Sequence, residues 1–563
     1  MKLNYKRTIF VGFAFFLISL FWQVYDNIIP LTLTNKFGLS QTASGFVMVL
    51  DNVIALIMLP LFGAISDKCA SRLGKRTPFI LVGTILAAIL FFSLSFADNA
   101  QLKNIRKFAV IDNPETMREV YRQQKDTELK TPEGKTFILS KSSDESKDEL
   151  KNAVEKTAFT EEEFVSITSE LVKKEDGKLY RPDGSEYTLE FVDKGQHNIV
   201  ERAKAGKTFT NPHYKDFVAP AQQACMRSIT LANKTPIIIF ICILLLLLVA
   251  MATFRSPAVA LMPDVTIKPL RSKANAIINL MGSAGGTLVL VLGILFGTSK
   301  VKNSFMNYTT YFCVISGIML LALVLFKVLV KEPQWAREMK EESERFGISE
   351  EEPDDHNRGK RMGKAEFRSL CFLLASVALW YMGYNAVTSK YSVYANRVLN
   401  QDYNLTLIIA QAAAIISYIP IGIISSKLGR KKTILIGIVM LVCAFGFAAM
   451  MNSGSSIIVM YLLFALAGIG WATINVNSFP MVVEMSKSGD VGKYTGFYYT
   501  ASMAAQAVTP WLSGIFMDKI AWTTLFPYAT VFVALAFVTM LFVMHGDNKP
   551  TAKKGLEALD VED

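Results

Sequence analysis

Two carboxylates, Asp26 and Asp51, lie well inside long apolar runs of this sequence. An acid at lipid depth costs roughly 2.5–3.5 kcal/mol on insertion scales, so such a residue marks function by default. Apolar surroundings favour a neutral carboxyl, which can then take up and release a proton. The chemistry on offer is reversible cation binding. The competing reading for each acid is a hydrogen bond to a neighbouring helix, and it weighs more for Asp26, which lies nearer the end of its run. The four histidines (His197, His213, His356 and His545) sit outside the depths of the apolar runs, so a histidine relay is not indicated.

Around the acids, amides and aromatics recur at helical spacing. Trp22 and Asp26 form one pair, Gln23 and Asn27 another. Asn275 and Asn279 share a face with Gly282 and Gly286. Trp380 with Tyr384, Tyr381 with Asn385, and Trp471 with Asn475 repeat the pattern, and Tyr498, Ser502 and Gln506 form a further stripe. Such a set can hydrogen-bond hydroxyls and stack on flat ring faces inside a mostly apolar pocket. For any single aromatic the alternative is packing or an interfacial belt. Asn279, Asn385 and Gln506 are harder to dismiss, being amides deep in apolar runs.

These residues are carried by elements that read as membrane spans. The chain has 563 residues, 51% hydrophobic and 19% charged. The apolar content falls in runs of about 20 residues, the length that crosses a hydrocarbon core; Ile237–Thr253, Tyr311–Val330 and Thr433–Met451 are examples. Twelve spans are expected at 8–31, 41–65, 79–97, 236–262, 274–297, 309–330, 366–387, 404–426, 433–451, 457–482, 494–516 and 526–545. The run after Lys2, Lys6 and Arg7 lacks a small-residue cleavage site and reads as an uncleaved first helix. Five short segments on the side of the termini carry 16 Lys/Arg, against 6 in the five short loops opposite. The positive-inside rule then puts both termini in the cytoplasm. The net charge of +11 sits beside span ends, which argues against nucleic acid. Six cysteines include no CxxC pair, so neither a zinc site nor a disulfide framework is indicated. No nucleophile–base or metal-ligand cluster suggests an enzyme, and no cofactor is expected.

The fold class expected is an all-α membrane protein: twelve transmembrane helices in two six-helix halves, with a small extracytoplasmic α+β insertion. The first half takes 1–97 and 235–331, the insertion 98–234, a central cytoplasmic loop 332–365, the second half 366–546 and a cytoplasmic tail 547–563. Within the insertion, 135–141 and 179–192 read as strands, the second bent at Arg181, Pro182, Asp183 and Gly184, and 161–172 reads as helix. The insertion is either a solvated spacer or cap, or a domain for substrate capture or partner docking.

An internal repeat locates the insertion. Gly63, Asp67, Gly74 and Arg76 after span two match Gly422, Ser426, Gly429 and Lys431 after span eight. Ala252, Thr253, Asp264 and Lys273 match Ala472, Thr473, Glu484 and Lys493 at an offset of 220, against 359 between Gly63 and Gly422. Allowing four extra residues in the first loop, 135 remain, and the 98–234 segment accounts for them. Such repeats, with a site at the midplane between them, build many secondary transporters. Asp67, Arg72, Arg76, Asp264 with Arg271, Arg430, and Glu484 with Lys493 read as an ion-pair set at an inner gate, or as simple anchors of helix ends. Arg255, at the inner end of span four, either pairs with a carboxylate or faces the pocket.

The loop Gly63, Ser66, Asp67, Lys68, Cys69, Ser71, Arg72, Gly74, Lys75, Arg76, Pro78, Phe79 and Ile80 resembles the sucrose–proton symporters. It also resembles the related glycoside–pentoside–hexuronide:cation symporters of the major facilitator superfamily. Arg255, Pro257, Leu261 and Asp264, followed by Arg271 and Asn275, are a second match. The resemblance covers 1–97 and 236–545 and omits the insertion. It implies import of a sugar or glycoside, often a di- or oligosaccharide, driven by a cation gradient across the plasma membrane by a monomer in the lipid bilayer. Melibiose-type members place paired Asp residues in span two for sodium; the aligned positions here are Ala55 and Leu59, which favours protons. The alternatives are a transporter-shaped receptor working through 98–234, or efflux of an amphipathic compound.

Overall fold

The computed structural model describes residues 3–140, 157–189, 194–267, 270–346, 363–485 and 491–545. In hydrocarbon a segment must satisfy its own backbone N–H and C=O groups, so the apolar runs become helices. The first three are α1 (Tyr5–Asn35), α2 (Gln41–Asp67) and α3 (Thr77–Ile105). The insertion follows with α4 (Pro114–Gln123), β1 (Glu128–Lys130), β2 (Thr136–Leu139), β3 (Thr157–Phe159), α5 (Glu161–Ser166), β4 (Glu170–Lys173), β5 (Leu179–Tyr180), β6 (Glu186–Tyr187), α6 (Lys194–Arg202), β7 (Thr208–Thr210) and α7 (Ala219–Ala232). The first half closes with α8 (Thr235–Val265), α9 (Arg271–Phe296) and α10 (Thr309–Leu329), and α11 (Glu332–Arg345) leads out of it. The second half is α12 (Lys364–Tyr394), α13 (Tyr403–Leu428), α14 (Arg430–Ala448), α15 (Ile457–Glu484), α16 (Val491–Lys519) and α17 (Leu525–Leu541).

Among the described residues ten helices are long and apolar enough to cross a membrane. The helices α13 and α16 are also long, at 26 and 29 residues, and both carry polar residues of the candidate site. Each half has its own hydrophobic core, and a third core lies inside the insertion. The halves meet along α2 with α16, α9 with α13 and α1 with α12. Two contacts need glycine. A Cβ on Gly45 would lie 2.0 Å from the Pro510 carbonyl oxygen, and one on Gly514 would lie 2.3 Å from that of Gln41.

The insertion builds two sheets, β1-β2-β3 and β6-β5-β4-β7. Phe137, Phe159 and Phe217 fill its larger core, with Phe159 and Phe217 centroids 4.4 Å apart. The expected helix over 161–172 is shorter. It stops at Ser166, capped at Thr160 by a box with Glu163, and Glu170–Lys173 is strand. The reason is tertiary: β4 pairs with both β5 and β7, which satisfies its backbone on two sides. The expected strands shrink to β2 and the β5–β6 hairpin; residues 190–192 lie outside the described ones.

Hydrogen bonds between the halves gather at the end that carries the insertion. Asp518 accepts from the Gln41 and Thr42 amides at 2.9 and 2.7 Å, and Lys390 Nζ donates to the Gln41 carbonyl at 2.7 Å. Arg397 donates to Asn35 Oδ1 at 2.7 Å, and Thr298 and Tyr403 share a hydroxyl bond of 2.6 Å. The insertion joins this seal: Lys215 Nζ donates to the Val398 carbonyl, and the Trp522 amide to the Pro132 carbonyl at 2.9 Å. The molecule is therefore shut at the insertion end.

α3 runs past its expected limit at 97, and the extension carries a wholly buried acid. Asp98 pairs with Lys36 Nζ at 2.5 and 2.7 Å, and both side chains are wholly buried. Lys36 also lies 4.1 Å from the Tyr308 ring centre, tying α1, α3 and α10 together. Removing one partner of such a pair leaves a buried charge and costs about 3–5 kcal/mol. Asp98→Asn is thus expected to lower the melting temperature in detergent strongly. The double change Lys36→Met with Asp98→Leu should regain most of the loss.

Candidate functional site

The N-terminal half brings both acids together. Counted from the insertion end, Asp26 in α1 and Asp51 in α2 sit at similar depth, roughly 10 residues or 15 Å in. They interact electrostatically with each other, and Asp51 also with Arg255 of α8. Asp51 Oδ1 accepts the Asn52 amide at 2.6 Å and the Asn52 side-chain Nδ2 at 2.7 Å. The Arg255 guanidinium lies 5.2 Å from the Trp22 ring centre, a cation–π contact. Arg255, open at the outset between a carboxylate and the pocket, thus belongs with the acids and Trp22 and not with the loop charges. Both acids are only half-buried, so neither is sealed from the space beside it.

The C-terminal half contributes an aromatic platform. Tyr384 of α12 stacks on Trp471 of α15 with ring centres 3.8 Å apart and planes 8° from parallel, and Tyr381 meets Trp471 edge-on at 5.1 Å. Tyr384, like the acids, lies roughly 10 residues from the insertion end of its helix. An amide bridges the halves beside it: Gln411 of α13 accepts from Thr287 Oγ1 at 3.1 Å. Gly286 makes room for it, since a Cβ there would meet Gln23 Oε1 at 3.3 Å and Gln411 Nε2 at 3.4 Å. Gln411 was missing from the expected set, although an amide deep in a span is the signal that selected Asn279, Asn385 and Gln506. Those three are half-buried, as is Asn275; Asn475 is buried on α15.

Three candidates are turned away from this space. Trp380 is wholly buried in the second core. Tyr498 is buried too, its hydroxyl 3.0 Å from Ser478 Oγ. Asn27 is buried, and its Nδ2 donates to the Gln23 carbonyl of its own helix at 2.8 Å. Helical spacing fixes which residues share a face, and the neighbours decide which face is covered.

At the basic end the expected charges regroup. Arg76 pairs with Asp67 at 2.5 Å and with Asp264 at 2.7 Å, binding the α2–α3 loop to the end of α8. Arg271, expected beside Asp264, instead donates to the Pro263 and Thr266 carbonyls at 3.0 and 3.1 Å, where the end of α8 leaves acceptors open. Glu332 of α11, absent from the expected set, accepts the Arg76 and Thr77 amides at 2.8 Å each and so caps α3. These bonds lie within one half. Arg72 is exposed and forms no ion pair among the described residues; Arg430 begins α14. The side chains of Glu484 and Lys493 lie outside the described residues.

Two cored helical halves, shut at one end and meeting around a half-buried polar site, define a multi-span membrane transporter. The Major Facilitator Superfamily matches residues 223–417 and 399–560, and its MFS/sugar transport protein branch matches 10–106. The chain belongs to the Major Facilitator Superfamily. It is 37% identical over 60 residues to sucrose transport protein SUC3 of Arabidopsis thaliana, covering 11% of this chain and 10% of that one. It is 25% identical over 197 residues to dipeptide and tripeptide permease A of Serratia proteamaculans, covering 32% and 38%. The chain thus aligns with well under half the length of either relative. The inward-open xylose transporter XylE of E. coli shares the fold, with TM-score 0.54 and 14% identity over 98% of each chain.

Proposed function

We propose that this transporter imports a sugar or glycoside of di- or oligosaccharide size together with protons, by alternating access. One observation carries the reading: Asp26, Asp51 and Arg255 gather beside Trp22 in one half, at the depth of the Tyr384–Trp471 stack in the other. Protons load on the acids. The aromatic stack and the amides Gln23, Asn279, Asn385, Gln411 and Gln506 hold the sugar's ring face and hydroxyls. The basic end faces the cytoplasm and the insertion faces outside, in keeping with the loop charges. On that orientation the described state is shut to the outside. The sucrose transport relative and the match at 10–106 support the sugar.

The test is uptake of labelled sucrose, maltose and melibiose into proteoliposomes with an alkaline lumen. Gradient-dependent accumulation of one of them is expected; uptake of all three no faster than in empty vesicles contradicts the reading. A small peptide is the second reading, favoured by the permease relative and by a site holding charges of both signs. Labelled dialanine in the same vesicles separates the two.

Aromatic contact with a sugar face should be worth about 1.4 kcal/mol, a factor of ten in affinity. Trp471→Ala is expected to raise the KM of the transported sugar about tenfold, while Tyr384→Phe, which keeps the ring, leaves it nearly unchanged. Equal effects of the two changes would remove the platform from the site.

A further inference from the structure

A cavity of about 430 Å³ lies at the insertion end, away from the acids. Its lining comes from three bodies: the α1–α2 loop, the insertion, and the outer ends of α12 and α16 in the second half. Four cations line it, Lys130, Lys215, Arg227 and Arg397, against one acid, Asp518. That acid is already engaged, accepting from two amides and from Thr42 Oγ1 at 2.6 Å. Glu133 and Asp216 act on Lys215 from outside the lining. Arg397 is 94% buried, and its Nε has no hydrogen-bond partner among the described residues. That nitrogen is enclosed by protein, and the guanidinium is held by its bond to Asn35 Oδ1 at 2.7 Å, so Arg397 adds positive charge to the wall of the cavity. Burial lowers the Lys215 ammonium to about 8 despite those two acids, and its Nζ donates to the Val398 carbonyl.

A lining with four cations, two of them arginines, suits a group with many acceptor oxygens and more than one negative charge. The rim adds an apolar side: Trp522 lines the cavity, and Leu231 and Ile520 beside it are each 58% exposed. An indole beside apolar side chains at the end of a bundle is the usual company of lipid headgroups.

We infer that this cavity binds a phosphate group, carried by an anionic lipid headgroup or by a small soluble molecule, and so holds the insertion end shut. The last clause rests on the alternating-access reading, because the three lining bodies separate when that end opens.

The test uses the full chain in neutral detergent, with inorganic phosphate and dihexanoyl phosphatidylglycerol as probes and sodium chloride as the ionic-strength control. A rise of several degrees in melting temperature is expected with at least one probe, and its loss in K130Q/R227Q, which changes only exposed side chains. A rise with phosphate alone identifies a soluble anion; a rise with the lipid only identifies a headgroup. No rise with either, or an equal rise in the variant, overturns the site. External addition of the active probe should then slow sucrose uptake several-fold in wild-type vesicles and not in the variant. Unchanged uptake overturns the conformational clause. Absence of any sucrose uptake counts against the proposed cargo and leaves the binding result intact.

Discussion

Asp51→Asn is expected to abolish uphill accumulation of the sugar while leaving exchange across the membrane intact. Asparagine keeps the size and the hydrogen bonds of the carboxyl but cannot load a proton. One proton moving through 100 mV supplies about 2.3 kcal/mol, enough for roughly 50-fold accumulation. The accumulation ratio in vesicles should therefore fall from tens to one. Counterflow of labelled against unlabelled sugar should persist, because a neutral residue resembles the loaded state. Asp26→Asn should weaken coupling less, since Asp51 also faces Arg255. Full accumulation by Asp51→Asn would assign coupling elsewhere.

The second large effect falls on Gly45. The shut state brings α2 against α16 so closely that any side chain at this position meets backbone, the Pro510 carbonyl carbon at 2.6 Å and Trp511 Cα at 2.9 Å. Backbone cannot rotate aside as a side-chain tip can. Overpacking of this kind costs about 1–3 kcal/mol, which shifts a two-state balance by one to two orders of magnitude. Gly45→Ala is expected to hold the insertion end open and cut uptake to about a tenth or less. Spin labels on the outer loops of the two halves should move apart. Unchanged distances with normal uptake would mean that the described contact is not part of the cycle.

Much of the fold can be read from the sequence because a bilayer imposes one simple rule, an apolar run long enough to cross it. The same rule exposes Asp26 and Asp51, whose cost at depth is visible without coordinates. What the rule misses is informative. Asp98 lay one residue beyond an assumed helix end, and Lys36, Lys390 and Arg397 passed as loop charges. All four are buried, because the insertion and the sealed outer ends take them out of water. Glu332 passed as part of a charged linker, yet it caps α3. Trp380 and Tyr384 share a helical stripe, but one is wholly buried in a core and the other stacks on Trp471. The face that a neighbour covers is a property of packing, which spacing along one helix does not contain. Residues 170–173 show the same limit in the insertion, where partner strands overrule local preference.

The most direct measurement is the proton itself. Sucrose, or whichever sugar the vesicles take up, is added to weakly buffered proteoliposomes while external pH and labelled uptake are recorded together. The account predicts alkalinisation outside in step with sugar entry, absent in Asp51→Asn. Sugar entry with no proton movement would contradict it.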